Sequence, residues 1–221
     1  RGVNLSHPWE VSDVLTVTVP GAVAGWVDTV ERFGSGEFSL EDLLMPAIEL
    51  AEGGFPVSPL TSVAWANGAG KLNRHQNGKE MLIGERAPMP GEIMKLPNLA
   101  ETLRKIAKHG KSGFYKGFVA ERIIELVEEL GGVLTNEDLE AHQSEFVDPI
   151  HVNYRGIDVY EMPPQGQGIT ALMALNILKG FDMDNLEFGS TEHIHLLIES
   201  LRIAFSDTRY YVADPQAVDV P

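Results

Sequence analysis

The chain has 221 residues, enough for one domain or two small ones. It carries 17 Lys and Arg against 32 Asp and Glu, a formal net charge of −15 at pH 7. A phosphate backbone must be neutralised by clustered basic side chains, so this balance argues against a nucleic-acid partner. No apolar run approaches the ~20 residues of a membrane-spanning helix. The absence of Cys excludes disulfides, thiolate metal sites and a Cys nucleophile in this stretch.

Two helices are predicted in the first quarter of the chain, where apolar residues recur every three or four positions. Pro20-Gly21 precedes the first of them. Ser39 is placed to cap the second, and Gly53-Gly54 is placed to end it. Pro46 lies inside the second helix and should kink it or split it in two, because proline lacks the N–H that the helix uses.

The helical periodicity is lost between residues 67 and 97, which predicts a long loop or a series of short irregular pieces. Helices are predicted again from Pro97 to Gly110 and from about Phe118 to Leu130, and a short one after Thr135. The side chains expected to be buried are Leu96, Leu99, Leu103, Ile106 and Ala107 in the helix after Pro97, and Val119, Ile123, Leu126, Val127 and Leu130 in the next.

A hairpin and two helices are predicted in the last third. Apolar and polar residues alternate over 150–154 and 157–161, with Arg155-Gly156 as the turn. The helix after Gly168 is apolar almost all round, which is typical of a helix in a core. The last helix begins near Ser190, and its expected buried residues are Ile194, Leu197, Ile198, Leu201 and Ala204.

Gly166-Gln167-Gly168, with Ala171 three residues later, matches the spacing of a dinucleotide-binding turn. The preceding strand belongs to a hairpin, Pro163-Pro164 intervenes, and the helix leads to another helix instead of a parallel strand. The favoured interpretation is therefore a sharp turn from a strand into a buried helix, with glycine where the backbone packs closely. Binding of NAD or FAD through Gly166 and Gly168 is kept as an alternative.

Three other patterns have ordinary explanations. Lys111-Ser112 resembles the end of a phosphate-binding loop, but Lys105 occupies the position of a required glycine. His193 and His195 are two apart on a helix and point to different sides, so they are not expected to share a metal ion. A solvated helix face accounts for the local basic segment, which comprises Arg104, Lys105, Lys108, Lys111 and Lys116.

A series of segments carries a family resemblance. In chain order they are Thr16–Trp26, Phe33-Gly34, Leu43–Val57, Phe114–Gly117, Gly131–Leu139, Tyr154–Gly156, Met162–Pro164, Leu175–Leu178 and His195–Pro221. Their sequences and their order resemble the large subunit of the γ-glutamyltransferase (γ-glutamyltranspeptidase, glutathione hydrolase) family. Residues 1–15 match poorly, so the chain is divided into this segment and a partial large-subunit domain over residues 16–221.

The resemblance implies an α/β fold, the helix-rich part of the αββα sandwich of an N-terminal nucleophile hydrolase, incomplete in this chain. Family members are precursors that cut themselves before a Thr. The new α-amino group of that Thr is a suitable base for its hydroxyl, since its pKa is ~8. The resemblance therefore implies a γ-glutamyl substrate such as glutathione and no cofactor. It also implies two partners, which are the protein's own small subunit and, in an oligomer, further processed heterodimers.

The matched region lies upstream of the family's processing site, so the nucleophilic Thr is expected C-terminal of Pro221. The family's Arg for the substrate α-carboxylate precedes the Val19-Pro20-Gly21 segment, and Arg1 is not assigned that role. No catalytic residue and no metal site are therefore expected in this chain, which alone should be inactive. Because the chain begins with Arg1 and not with Met, we expect it to be part of a longer chain, and the sequence therefore makes no prediction of the compartment.

One departure from the family pattern bears on the substrate. Residues 163–168 read Pro-Pro-Gln-Gly-Gln-Gly, where many transferases have Pro-Pro-Ser-Ser-Gly-Gly. This form is more similar to the branch of γ-glutamyltransferase-like hydrolases and cephalosporin-acylase-like proteins. The alternatives are therefore an amide acylase of the same superfamily and a catalytically inert, truncated homologue. In either case, the helices after Gly168 and Ser190 are expected to expose apolar surface when the chain stands alone.

Overall fold

The computed structural model describes residues 14–163, 166–215 and 217–220. The chain divides into two compact units, Arg1–Ser144 (the N-terminal unit) and Glu145–Pro221 (the C-terminal unit). The expectations for Arg1, for nearly all of segment 1–15, for Pro164-Gln165 and for Pro221 lie outside the described residues. Within the described part, none of the helices combines the length and the apolar character that crossing a membrane requires.

The described part of the N-terminal unit is mainly helical. Its helices are α1 (Ala22–Phe33), α2 (Leu40–Gly53), α3 (Pro59–Leu72), α4 (Pro97–His109), α5 (Ser112–Tyr115), α6 (Phe118–Glu129) and α7 (Asn136–Ala141). Short 3-10 helices cover Val14–Thr16 and Gln76–Met81. Two short strands, β1 (Phe55–Pro56) and β2 (Ile93–Met94), pair antiparallel with Phe55 opposite Met94.

The core of this unit forms where α2 packs against α4. Ala51 and Ala100 are both buried, and their small side chains let the two helices approach closely. Apolar residues from α1, α2, α4, α5, α6 and α7 complete the core: Val23, Ala24, Ile48, Ala51, Ala100, Leu103, Ile106, Tyr115, Ala120, Ile124 and Leu139. One continuous core therefore joins helices that are far apart in the sequence.

The predicted helices of this unit are confirmed, with one correction inside α2. Ser39 and Asp42 form a reciprocal capping box at the start of α2, and Thr135 and Asp138 form another at the start of α7. α2 is a single helix through Pro46, so the split alternative is wrong. Ile48, which follows the proline, is only 1% exposed. Its burial in the core outweighs the backbone hydrogen bond that proline removes.

The long loop predicted between residues 67 and 97 is wrong in its first part. α3 continues to Leu72, and the remaining residues form short pieces, as the second alternative predicted. The Ser58 hydroxyl accepts a hydrogen bond from the amide of Thr61, and Pro59 occupies the first turn. Ser followed by Pro is a helix-start signal, and this pair could have revealed α3 in the sequence.

The buried faces of α4 and α6 differ in detail from the prediction. Ile124 is buried in the core, whereas Ile123 is only partly buried. Leu99 and Leu130 are almost half exposed. The core face of α6 is set by Ala120, Ile124 and Val127, which recur at helical spacing; Leu130 lies just beyond the last turn of α6.

The C-terminal unit contains the predicted hairpin and two helices. The strands are β3 (Ile150–Tyr154) and β4 (Ile157–Glu161), paired antiparallel with Val152 opposite Val159, and the helices are α8 (Gly168–Leu178) and α9 (Thr191–Tyr211). Arg155 and Gly156 both have positive φ, at 54° and 84°. Two consecutive positive φ values are typical of a type I′ hairpin turn, and the Arg155 side chain pairs with Asp184.

The buried face predicted for α9 is mostly wrong. Ala204 is buried as predicted, together with Ser200, but Ile194, Ile198 and Leu201 are 43%, 49% and 42% exposed. α8 packs against α9, and the Thr170 and Thr208 hydroxyls hydrogen-bond between them at 2.8 Å. Small and polar side chains of α9 therefore face α8, and most of its large apolar side chains remain exposed, as expected for the chain alone.

Candidate functional site

Tyr115 is the centre of the most connected polar cluster in the N-terminal unit. Its side chain is buried, and its hydroxyl donates to the carbonyl of Pro20 at 2.7 Å and accepts from the amide of Ala24 at 3.0 Å. Burial raises the pKa of the Tyr115 hydroxyl. The neutral hydroxyl therefore bridges two backbone groups across the start of α1 and is not set up as a base.

Asp28, on α1, forms the charged part of the same cluster. Its carboxylate lies 2.5 Å from the Lys111 ammonium, and its side chain is only 15% exposed. Hydrogen bonds from Lys111 and Ser144, helped by the charges of Lys111 and His142, lower the pKa of Asp28. The sequence prediction placed Lys111 on a solvated face and did not single out Asp28. Only tertiary structure brings these two residues together.

His142 completes what we call the Asp28 cluster, which consists of Asp28, Lys111, Tyr115, His142 and Ser144. The imidazole ring lies 5.3 Å from the Tyr115 ring, measured between centroids. A Cβ built on Gly21 would lie 3.4 Å from Nε2 of His142, so the ring rests against the glycine. The cluster therefore joins α1, α5 and the segment after α7, and its side chains position these three segments relative to one another.

Gly166-Gln167-Gly168 is the second sequence motif that the structure describes, and α8 begins at its last glycine. A Cβ added to Gly168 would lie 2.4 Å from Oε2 of Glu161, so a larger residue does not fit without movement. Within the described residues the sheets are antiparallel pairs, and α8 leads to α9 without a parallel strand. These features support the sharp-turn interpretation of Gly166-Gln167-Gly168 over the dinucleotide alternative.

The remaining candidate residues take structural roles. Of the basic segment, Arg104 pairs with Glu52, Lys105 with Glu101 at 2.9 Å and Lys116 with Glu140 at 3.3 Å, so the solvated-face interpretation was incomplete. Nδ1 of His193 accepts a hydrogen bond from the amide of Gly189. No group of three or more His, Asp or Glu residues in the described ranges is arranged to hold a metal ion.

Arg86 and Glu92 form the strongest surface ion pair of the irregular region. Both carboxylate oxygens of Glu92 accept from the Arg86 guanidinium at 2.7 Å, and one also accepts from the amide of Met89. These hydrogen bonds lower the pKa of Glu92 to about 2. The pair closes the loop before β2 and contributes to local order.

A helix-rich chain of this architecture fits the large subunit of an N-terminal nucleophile hydrolase, and family comparison agrees. The family model described as gamma-glutamyltranspeptidase matches residues 4–221. This match covers nearly the whole chain, so the chain belongs to the γ-glutamyltranspeptidase family.

Relatives from both expected branches match the chain. The glutathione hydrolase-like YwrD proenzyme of Bacillus subtilis is 36% identical over 216 residues, covering 93% of this chain and 39% of the relative. The acylase ACY 1 proenzyme of Pseudomonas sp. strain SE83 is 38% identical over 207 residues, covering 93% of this chain and 37% of the relative. The chain therefore spans less than two fifths of either protein.

The fold agrees with a solved structure of the same family. The structure of Helicobacter pylori γ-glutamyltranspeptidase superposes with a TM-score of 0.89 at 29% identity, covering 99% of this chain and 64% of that chain. The predicted fold class, the helix-rich part of an N-terminal nucleophile hydrolase, is thereby confirmed. The division at residue 16 and the expected absence of catalytic residues stay predictions.

Proposed function

We propose that the complete protein is a γ-glutamyltransferase-like enzyme that hydrolyses, or transfers γ-glutamyl groups from, glutathione or related amides. The observation that carries this proposal is the family match over residues 4–221. The name of the B. subtilis relative, a glutathione hydrolase-like proenzyme, supports the same activity. The partners would be the protein's own small subunit after self-cleavage and further copies of the processed heterodimer.

The reaction would use a Thr C-terminal of Pro221. Its hydroxyl oxygen would attack the γ-carbonyl carbon of the substrate while its free α-amino group takes the proton. The amine would leave with that proton, and water would then hydrolyse the γ-glutamyl ester and regenerate the Thr. The residues of this chain would serve as scaffold, with the Asp28 cluster and the contact between Glu161 and Gly168 holding its backbone.

A second candidate is an amide acylase that acts on other acyl groups. The Gly166-Gln167-Gly168 turn favours it, because this sequence departs from the Ser-Ser-Gly-Gly form of many transferases. The relative named acylase ACY 1, at 38% identity, supports it as well. A third candidate, an inert homologue, differs from both in lacking self-cleavage.

Two measurements on the complete protein distinguish these three candidate functions. The intact mass shows whether self-cleavage produces two polypeptides, the smaller beginning with Thr. The processed protein is then offered a γ-glutamyl anilide and the matched glutaryl anilide, which lacks only the α-amino group. Preference for the γ-glutamyl substrate supports the main proposal, and preference for the glutaryl substrate supports the acylase. A single unprocessed chain contradicts both and supports the inert homologue.

A further inference from the structure

The start of α4 is capped by a residue from another part of the chain. The N-cap residue, Leu96, has an apolar side chain that cannot accept a hydrogen bond, and the first turn of α4 contains no acidic residue. Glu80 lies 18 residues before Asn98, and one of its carboxylate oxygens accepts from the Asn98 amide at 2.8 Å. The other oxygen accepts from the Asn98 side-chain nitrogen at 2.9 Å. Because a negative charge is favoured at a helix N-terminus, Glu80 caps α4.

Glu80 belongs to residues 75–82, a 3-10 helix with its two capping residues, which we call the strap. At its first residue, Nε2 of His75 lies 3.8 Å from a carboxylate oxygen of Glu129, the last residue of α6. In its middle, a Cβ added to Gly78 would clash with the carbonyl of Leu72, the last residue of α3. Together with the cap on α4, the strap therefore contacts three helices.

The strap also forms one wall of a cavity of about 440 Å³ between α4 and α6. Asn77 and Glu80 line this cavity from the strap, Thr102 lines it from α4 and Ile123 from α6. The two hydrogen bonds of Glu80 are the strong contacts of the strap, because their acceptor is charged. The pair of His75 with a carboxylate is longer and needs a protonated imidazole, so Glu80 is the main attachment.

We propose that residues 75–82 open and close over the cavity between α4 and α6, and that the two hydrogen bonds of Glu80 hold them closed. The strap and the start of α4 order each other, because the same two hydrogen bonds belong to both. Releasing Glu80 therefore leaves the Asn98 amide without its acceptor and also frees the strap. A cap that acted on α4 alone would have only the first effect. The device is independent of the proposed catalytic activity.

Hydrogen exchange of the complete protein tests the strap. Mass spectrometry follows peptides from the strap, from the start of α4 and from the start of α2. Glu80→Ala is expected to speed amide exchange about tenfold both in residues 75–82 and at Asn98, because losing hydrogen bonds to a charged group raises the population of the open state. Exchange at the start of α2, where Ser39 and Asp42 form their own capping box, is expected to stay unchanged.

Further variants sharpen the test. Glu80→Gln keeps an acceptor oxygen without the charge and should speed exchange in the strap less than Glu80→Ala does. Asn98→Ala removes only the side-chain donor, and the Glu80→Ala, Asn98→Ala double variant should exchange no faster in the strap than Glu80→Ala alone, because the shared bond is already lost. Glu85→Ala removes an exposed carboxylate just beyond the strap and should leave the strap protected.

Three outcomes for Glu80→Ala would each overturn the strap. They are faster exchange confined to the start of α4, unchanged exchange in both segments, and an equal rise at the start of α2. If Glu80→Ala does not fold, Glu80→Gln is judged by the same three comparisons. Joint acceleration of the strap and the start of α4, with α2 unchanged, supports the proposal.

Discussion

The two units of this chain bury their helices to different extents. In the N-terminal unit, helices from all along the sequence share one core, and side chains such as Ile48 and Ile106 are 1% exposed. In the C-terminal unit, the longest helix, α9, turns small residues toward α8 and leaves Ile198 about half exposed. Equally apolar helices can thus end in different environments. An exposed apolar face of this kind calls for a covering partner, which fits a chain that spans only 39% of its B. subtilis relative.

The largest expected effect is on the free energy of unfolding, and it compares a side chain in the core of the N-terminal unit with one on the exposed face of α9. Ile106→Ala should lower the free energy of unfolding by about 2–5 kcal/mol, because it leaves a cavity in a closed core. The matched variant Ile198→Ala should cost less than about 1 kcal/mol in the isolated chain, since the side chain is already half in water. Denaturant unfolding of both variants measures the difference. If both variants lost the same free energy of unfolding in the isolated chain, Ile198 would have to be buried there as well.

A smaller effect is expected where Gly168, the first residue of α8, lies against Glu161 at the end of β4. Gly168→Ala places a Cβ against the Glu161 carboxylate and should destabilise the C-terminal unit by about 2–3 kcal/mol. If the clash is the cause, Glu161→Gly in the same chain should recover part of the loss, because it removes both the carboxylate and the Glu161 Cβ, which would lie 2.7 Å from the added Cβ. Gly166→Ala, with open space around it, should cost much less. Thermal unfolding of Gly168→Ala, Glu161→Gly, their double variant and Gly166→Ala checks this, and failure of the rescue would remove the steric explanation.

Predictions from the sequence were confirmed where a structure depends on residues that are close together in the chain. Ser39, Thr135 and Arg155-Gly156 act through neighbours within three residues, and the structure has the predicted caps and turn. Predictions failed where the partner lay far along the chain. Periodicity identified the apolar face of α9 but could not show that Ile194, Ile198 and Leu201 stay exposed among the described residues. The pairing of Asp28 with Lys111 had no signal in either segment, because ion pairs across a fold have no fixed spacing.

The family resemblance predicted the class of protein, which the periodicity of apolar residues could not do. The ordered segments from Thr16 to Pro221 predicted the family, which the match over residues 4–221 confirms. They did not reveal the Asp28 cluster, because its members come from three separated segments and only Tyr115 lies in one of the matched segments. Motif order therefore predicts the family, whereas the contacts that hold the scaffold together are visible only in the fold.

A moderate effect is expected for the polar part of the N-terminal core. Tyr115→Phe keeps the ring in place but removes the hydroxyl that bridges the Pro20 carbonyl and the Ala24 amide. The buried amide then lacks its partner, and the variant should lose about 1–2 kcal/mol in denaturant unfolding. Tyr210→Phe, on an exposed side chain of α9, is the control and should be neutral. A neutral Tyr115→Phe would mean that water replaces the hydroxyl without cost.

The smallest effect concerns the surface ion pair of Arg86 and Glu92. Its contribution to the stability of the folded chain is expected to fall as the pH falls. The pKa of Glu92 is lowered from 4.5 to about 2 by its hydrogen bonds, so the carboxylate stabilises the folded chain above pH 4.5 and this contribution is lost as the pH falls toward 2. Glu92→Gln should therefore melt slightly below the wild type at pH 7, and the difference in Tm should shrink over this window. Glu37→Gln, on an exposed loop, should show no such convergence. A constant difference between wild type and Glu92→Gln down to pH 2 would mean that the charge of the carboxylate is not what stabilises the loop.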